Sequence, residues 1–329
     1  MRDVLMYERP TFQDVLRARR RLAPYLLRTP LHHYPTLSRM LGFEVYIKHE
    51  NHQPTGSFKV RGGINLISQL SEEEKRRGVI TASTGNHGQS VAYASRLFGV
   101  QATVLVPEGA NPDKVESMRA LGARVIHHGR DFEEARLYAE ELAEKHGYRY
   151  IHAANEPMLI AGVGTMGLEI IEDLPEVETI LVPIGGGSEA AGISIVAKTL
   201  NPEIEVIGVQ AEGAPAVYLS WKEGRIVETS SVKTIADGLA TRRAFELPLG
   251  IIRDLIDDIV LVTDDEIRSA IRLLLSKTHN VAEGAGAATT AAAVKFKERL
   301  KGRKVALILS GGNITLEELR EILREEPQK

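Results

Sequence analysis

Short apolar runs alternate with helix-length segments along most of this chain, and that alternation restricts the fold more than any other feature. Residues 78–81, 102–106, 124–127 and 150–152 read as strands, and 88–98, 113–121 and 132–145 have helical spacing. A second series runs from a helix at 162–174 through a strand at 179–184, a helix at 190–200 and a strand at 204–210. It closes with helices at 264–277 and 285–297, a strand at 304–309 and a terminal helix. Ahead of both series, 11–25 reads as a helix and 44–48 as a strand. Parallel strands need helix-length crossovers, so this pattern calls for parallel sheets covered by helices on both faces. Two such series predict two domains with a cleft between them. No proline-rich or serine-rich linker separates them, so the chain is expected to pass directly from one to the other.

The 329 residues suffice for two such units, and 43% hydrophobic with 26% charged residues supply the core and surface of a soluble globular protein. A formal net charge of -3, with no basic stripe interleaved with aromatics, argues against nucleic acid or an anionic membrane as a partner. The absence of cysteine excludes disulfides, thiolate metal sites and a cysteine nucleophile. The N-terminus lacks the apolar core of a secretory signal and no apolar run is long enough to span a bilayer. A cytoplasmic protein is therefore expected.

Four segments carry the chemistry. The strand at 179–184 runs into Gly185-Gly186-Gly187-Ser188 and at once into a helix, where free N–H groups and the helix dipole suit a phosphate. A tight structural turn accounts for the same glycines. The loop is not a P-loop, and Gln210 stands where a dinucleotide fold would place an acidic residue. In the second segment Lys59 follows Phe58 in a loop with few other charges. A lysine at a helix start is ordinarily a solvated surface residue. Burial beside an aromatic ring would instead lower its pKa and make the amine a nucleophile and base. The third segment, from Ser83 through Thr84, Gly85, Asn86 and His87 to Gln89, opens a helix just after a strand. Its hydroxyls, amide and N–H groups suit a small carboxylate, or form only an N-cap with Ser83 or Thr84 as the cap. The fourth, Ser310-Gly311-Gly312-Asn313, ends the last strand, where ligands of open α/β sheets bind.

Taken together, SFKVRG, STGNHGQ, GGGS and SGGN resemble the fold-type II pyridoxal-phosphate enzymes, in their threonine dehydratase and serine racemase branch. The resemblance runs from about Tyr7 to Asn313. It implies an α/β fold of the tryptophan synthase beta-like kind, with two open, mainly parallel sheets flanked by helices. It also implies a large cofactor-binding domain of residues 1–75 and 155–329, and a small mobile domain of residues 76–154 that holds the substrate carboxylate. The sequence ends soon after SGGN, so a short form without the family's C-terminal regulatory domain is expected.

By the same resemblance Lys59 is the catalytic residue that holds pyridoxal 5'-phosphate as a Schiff base, and Phe58 flanks the ring. Asn86 would contact the ring hydroxyl, and Gly185, Gly186, Gly187 and Ser188 would cradle the phosphate. Gly238 would lie beside the cofactor, Glu283 near the pyridine edge and Ser310 against the pyridine nitrogen. Ser83, Thr84, Asn86 and His87 would hold the substrate carboxylate. The implied activity is that of a threonine/serine ammonia-lyase, converting a β-hydroxy amino acid to a 2-oxo acid and ammonia by β-elimination. A neutral hydroxyl at the pyridine nitrogen favours that outcome over a long-lived carbanion.

Other readings stand beside it: a serine racemase, or a dehydratase for a bulkier substrate such as phenylserine or 3-hydroxyaspartate. Outside the family, the reading is a non-catalytic phosphate-ligand binding protein. Thr84 occupies the place of the serine that racemases use as second base, and its methyl group weighs against racemisation. Gln210 and Ala216 fall where a racemase-like cation site would begin with an acidic side chain, so no dedicated metal site is expected. Substrate size is expected to depend on Thr84, Asn155 and residues 234–243. The expected partners are a small amino acid and a second copy of the chain, as a homodimer.

Overall fold

The computed structural model describes residues 8–324. Tyr7, from which the resemblance is counted, and the outer ends of the 1–75 and 155–329 bounds lie outside the described residues.

Ten strands form two sheets among the described residues. In chain order they are β1 (Leu31–His33), β2 (Glu44–His49), β3 (Val79–Ala82), β4 (Ala102–Val106), β5 (Arg124–His127), β6 (Arg149–Tyr150), β7 (Thr179–Pro183), β8 (Glu205–Ala211), β9 (Asp258–Val262) and β10 (Lys304–Leu309). The larger sheet has the order β1-β2-β10-β7-β8-β9, and the smaller β5-β4-β3-β6. Every pairing is parallel except β1 with β2 at the edge of the larger sheet. This is an α/β fold with two mainly parallel sheets, as the alternation predicts.

The pleat sorts side chains onto two cores. Along the larger sheet Ile47, Leu181, Val209 and Leu307 face the alanine-rich helix Gly284–Lys295. Their neighbours Ile180, Val182, Val206 and Ile308 face the helices Pro157–Asp173, Ser188–Leu200 and Glu246–Leu255. The smaller sheet does the same: Val79 and Val104 pack with the helix Lys59–Ile67, while Ile80 and Leu105 pack on Phe132–His146. Strands buried on both faces account for the continuous apolar runs in β3, β4 and β7.

The structure adds elements that have weak periodicity in the sequence. The helix Glu72–Arg77 contains no apolar residue and is held by a capping box between Ser71 and Glu74. The expected strand at 150–152 shrinks to Arg149–Tyr150. After Ile151 donates to the Ile80 carbonyl (2.8 Å), the chain turns, because His152 Nδ1 accepts the N–H groups of Ala154 and Asn155, each at 2.9 Å. Among the described residues no helix is long and apolar enough to cross a membrane.

Candidate active site

The C-terminal ends of β3, β7 and β10 open on one cleft of about 500 Å³, lined by every residue expected from the sequence to hold the cofactor or the substrate carboxylate. How each is positioned follows from local bonds.

Lys59 starts the helix Lys59–Ile67. The approach to it is stitched to the end of β10 by a bridge between Ser57 and Gly311, and the Phe58 N–H donates to the Ser310 carbonyl at 3.0 Å. One turn on, Arg61 is buried and bonded to Glu50 (Nε to Oε2, 2.7 Å) and to Glu169 (Nη1 to Oε1, 2.8 Å). Lys48 Nζ reaches Glu169 at 2.6 Å, and Thr29 donates its hydroxyl to Glu50 at 2.6 Å. Burial alone would push the Glu50 carboxyl up, but Arg61 and Lys48 hold it below the usual range. This network fixes the first turn that carries Lys59. Lys59 Nζ lies 4.9 Å from the centre of the Phe58 ring. Burial lowers its pKa below the ordinary lysine value, against the pull of Glu189 and Glu283. Such an amine can act as nucleophile and base.

At the end of β3, the Ser83 hydroxyl accepts the N–H groups of Gly85 (3.1 Å) and Gly88 (2.9 Å), while the N-cap of the helix Asn86–Leu97 is Gly85 rather than Ser83 or Thr84. Thr84 is half-buried and open to the cleft. The His87 ring is buried, with Nε2 3.0 Å from Thr81 Oγ1. Burial and the nearby Lys59 hold it neutral, with a pKa of about 3, so its ring brings no charge to a carboxylate. What the loop offers an anion is Thr84, Asn86 and the N–H groups of the helix start. Asn86 Nδ2 donates to Glu283 Oε1 at 2.6 Å, and Asn86 Oδ1 accepts from Asn313 Nδ2 at 2.7 Å. This ties the β3 loop to the SGGN turn. Burial pushes the Glu283 carboxyl up to about 7, against Lys114 and the Asn86 bond.

β7 leads through the glycines into Ser188–Leu200, with Gly187 at φ +90° as the N-cap. A Cβ on Gly185 would stand 2.0 Å from the Gly238 carbonyl oxygen, so the loop and the 237–240 turn touch backbone to backbone. The free N–H groups of this helix start face the cleft that Lys59 also lines.

Two charged residues of this cleft, Glu189 and Lys114, carry no expectation from the sequence, and Asp237 is expected only as part of the 234–243 segment. Glu189, directly after the glycine loop, is 4% exposed and its carboxyl is pushed well up by burial. Its signal was a charge at the start of an otherwise apolar helix. Lys114 and Asp237 form an ion pair at 2.6 Å that joins the helix Pro112–Ala120 to the 237–240 turn. Asn155, expected at the pocket floor, bonds instead to Glu246 (2.8 Å) and to the Leu247 N–H (3.2 Å). It lines an adjoining cavity of about 620 Å³ that shares Phe132, Thr241 and Phe245 with the cleft. Gln210 is fully buried and accepts the Tyr218 N–H at 2.9 Å.

A family model described as "Pyridoxal-phosphate dependent enzyme" matches residues 22–311. The chain belongs to this family. An L-threonine ammonia-lyase of Thermotoga maritima is 44% identical over 96% of this chain and 78% of its own. The L-threonine dehydratase catabolic TdcB of Escherichia coli is 39% identical over 97% of this chain and 98% of its own. Among solved structures, maize serine racemase superposes with a TM-score of 0.91 at 34% identity, covering 96% of this chain and 97% of that one. The two-sheet architecture is that of fold-type II. The family's cofactor, pyridoxal 5'-phosphate, fits the residues present. Lys59 offers an amine of lowered basicity to an aldehyde, and the glycine loop an N–H cradle that a Cβ at Gly185 would disrupt.

Proposed function

We propose that the chain is a pyridoxal-phosphate-dependent threonine/serine ammonia-lyase, converting a β-hydroxy amino acid to a 2-oxo acid and ammonia. The carrying observation is the juxtaposition in one cleft of Lys59, the glycine loop and the Ser310 hydroxyl, with no carboxylate in the place of Ser310. The relatives named L-threonine ammonia-lyase and L-threonine dehydratase support the same reading.

When bound, the cofactor supplies an electron sink for the pair left at Cα. Lys59 would hold the group through Nζ, and its freed amine would take the Cα proton of the substrate. Phe58 would pack beside its ring, and the N–H groups of Gly185, Gly186, Gly187 and Ser188 would hold its phosphate, with Gly238 closing on the loop. Asn86 would contact the ring hydroxyl and Ser310 the ring nitrogen, with Glu283 near the ring edge. Thr84, Asn86 and the backbone N–H groups after Ser83, including that of His87, orient the substrate carboxylate. Loss of the β-hydroxyl and hydrolysis give the 2-oxo acid and ammonia.

Residues 76–154 are proposed as the smaller, mobile domain, which closes over the substrate and excludes water. The working unit is proposed as a cytoplasmic homodimer on a small amino acid, which light scattering of the purified chain would test.

Supplying L-threonine and L-serine should yield 2-oxobutyrate, pyruvate and ammonia. The protein should absorb at about 410 nm, and borohydride should fix the cofactor on Lys59. Lys59→Ala should abolish both the band and turnover. Turnover only of phenylserine or 3-hydroxyaspartate would change the substrate but not the reaction, and D-serine without pyruvate would make the chain a racemase. A colourless protein that takes up no cofactor would leave a phosphate-ligand binding protein.

A further inference from the structure

Glu189 has no task in the reaction above, yet its setting is unusual. It is the second residue of the helix Ser188–Leu200, 4% exposed, and lines the cleft with Lys59. Its Oε1 is buried without a hydrogen-bond partner. A buried carboxyl with an unpartnered oxygen is costly, so one that lines a reactive cleft calls for a role.

The charged groups acting on Glu189 are Lys59, Glu50 and Glu283. The helices Phe12–Leu22, Pro157–Asp173 and Glu246–Leu255 and the strands β7 and β8 pack against its helix but add no charge acting on it, among the described residues. Glu50 is tied to Arg61, Thr29 and Gln53, and Glu283 to Asn86. Among the described residues Lys59 is thus the one cation acting on Glu189, while the carboxyls of Glu50 and Glu283 oppose a second negative charge there. Burial acts on both members in one direction, pushing the Lys59 amine down and the Glu189 carboxyl up. Both changes bring the proton affinities of the two groups closer, so that one proton can pass between an ionised Glu189 and a protonated Lys59.

We propose that Glu189 is the proton store of Lys59, a positioning residue that takes up the proton the lysine must shed in each turnover. The exchange breaks one N–H bond of the ammonium and forms one O–H bond on the carboxylate. No electron transfer or co-reactant is involved. The proposal rests on the reading of Lys59 as the cofactor-binding amine.

The test uses full-length holoenzyme carrying Glu189→Gln or Glu189→Met, with the pH titration of the visible band and the pH profile of kcat/KM as readouts. An ionised Glu189 stabilises positive charge on the Lys59 nitrogen, so both variants should lose that proton at a pH lower by about one unit or more. kcat should fall by about 100-fold with KM little changed, because the nearby proton acceptor is gone. The melting temperature should stay level or rise, since a buried carboxyl with an unpartnered oxygen has been removed. Unmoved titration and pH profiles in both variants overturn the proposal, as does a lowered melting temperature with an unmoved titration. A wild-type band present but insensitive to Glu189 sinks this inference alone. A wild-type protein with no band reducible onto Lys59 sinks the cofactor reading and this inference together.

Discussion

Replacing Gly185 by alanine tests whether the glycine loop is a shaped cradle or an ordinary turn. The added Cβ would stand 2.0 Å from the Gly238 carbonyl oxygen, and real Cβ atoms essentially never come within 3.0 Å of such a neighbour. The loop and the 237–240 turn must therefore separate by at least about 1 Å, and a backbone oxygen cannot swing aside as a side chain can. A displacement of that size at a site that must align reacting atoms lowers turnover by about 100-fold. Gly186→Ala is the matched control. Its Cβ would meet only side chains, Ala154 Cβ at 3.1 Å and the Phe245 ring at 3.6 Å, so its effect should be much smaller. Cofactor titration at the visible band, together with kcat for L-threonine, measures both variants. If Gly185→Ala keeps wild-type cofactor affinity and kcat, or Gly186→Ala is equally impaired, the backbone-contact argument is wrong.

Two further perturbations probe the supports of the cleft. Arg61→Met removes the guanidinium bonded to the buried Glu50 and leaves Lys48 as the remaining cation for it and for Glu169, and should cost about 3–5 kcal/mol in chemical denaturation; a loss below about 1 kcal/mol would show the Arg61 contacts to be dispensable. Glu283 titrates at about 7 in the fold against its ordinary 4.5, so between those values the folded chain holds a proton that the unfolded chain has released. Stability of the cofactor-free protein should therefore fall by about 3 kcal/mol as pH rises through that window, and Glu283→Gln should flatten the slope. An unchanged slope in the variant would assign the pH dependence to another group.

How much of this was legible in the sequence depends on the range of the interaction. Buried parallel strands must be apolar throughout and their crossovers helical, so β3, β4, β7, β8 and β10 and the two-sheet arrangement were readable from the order of residues. Lys59, Asn86, Ser310 and the glycine loop were readable because each sits in a short stretch whose chemistry is local. The truncation of β6 was not, since it depends on His152 folding back on the N–H groups of Ala154 and Asn155. Nor was the fate of Asn155, which a partner 91 residues away, Glu246, holds to the adjoining cavity. The neutral state of His87, the raised carboxyl of Glu283 and the isolation of Glu189 all come from burial, which the fold alone sets. Local residue chemistry pointed to Lys59, Asn86, Ser310 and the glycine loop, but not to Glu189 or Lys114, which line the same cleft. Only the tertiary structure decided their protonation and which of them face one another, because desolvation and contact belong to neighbours distant in the chain.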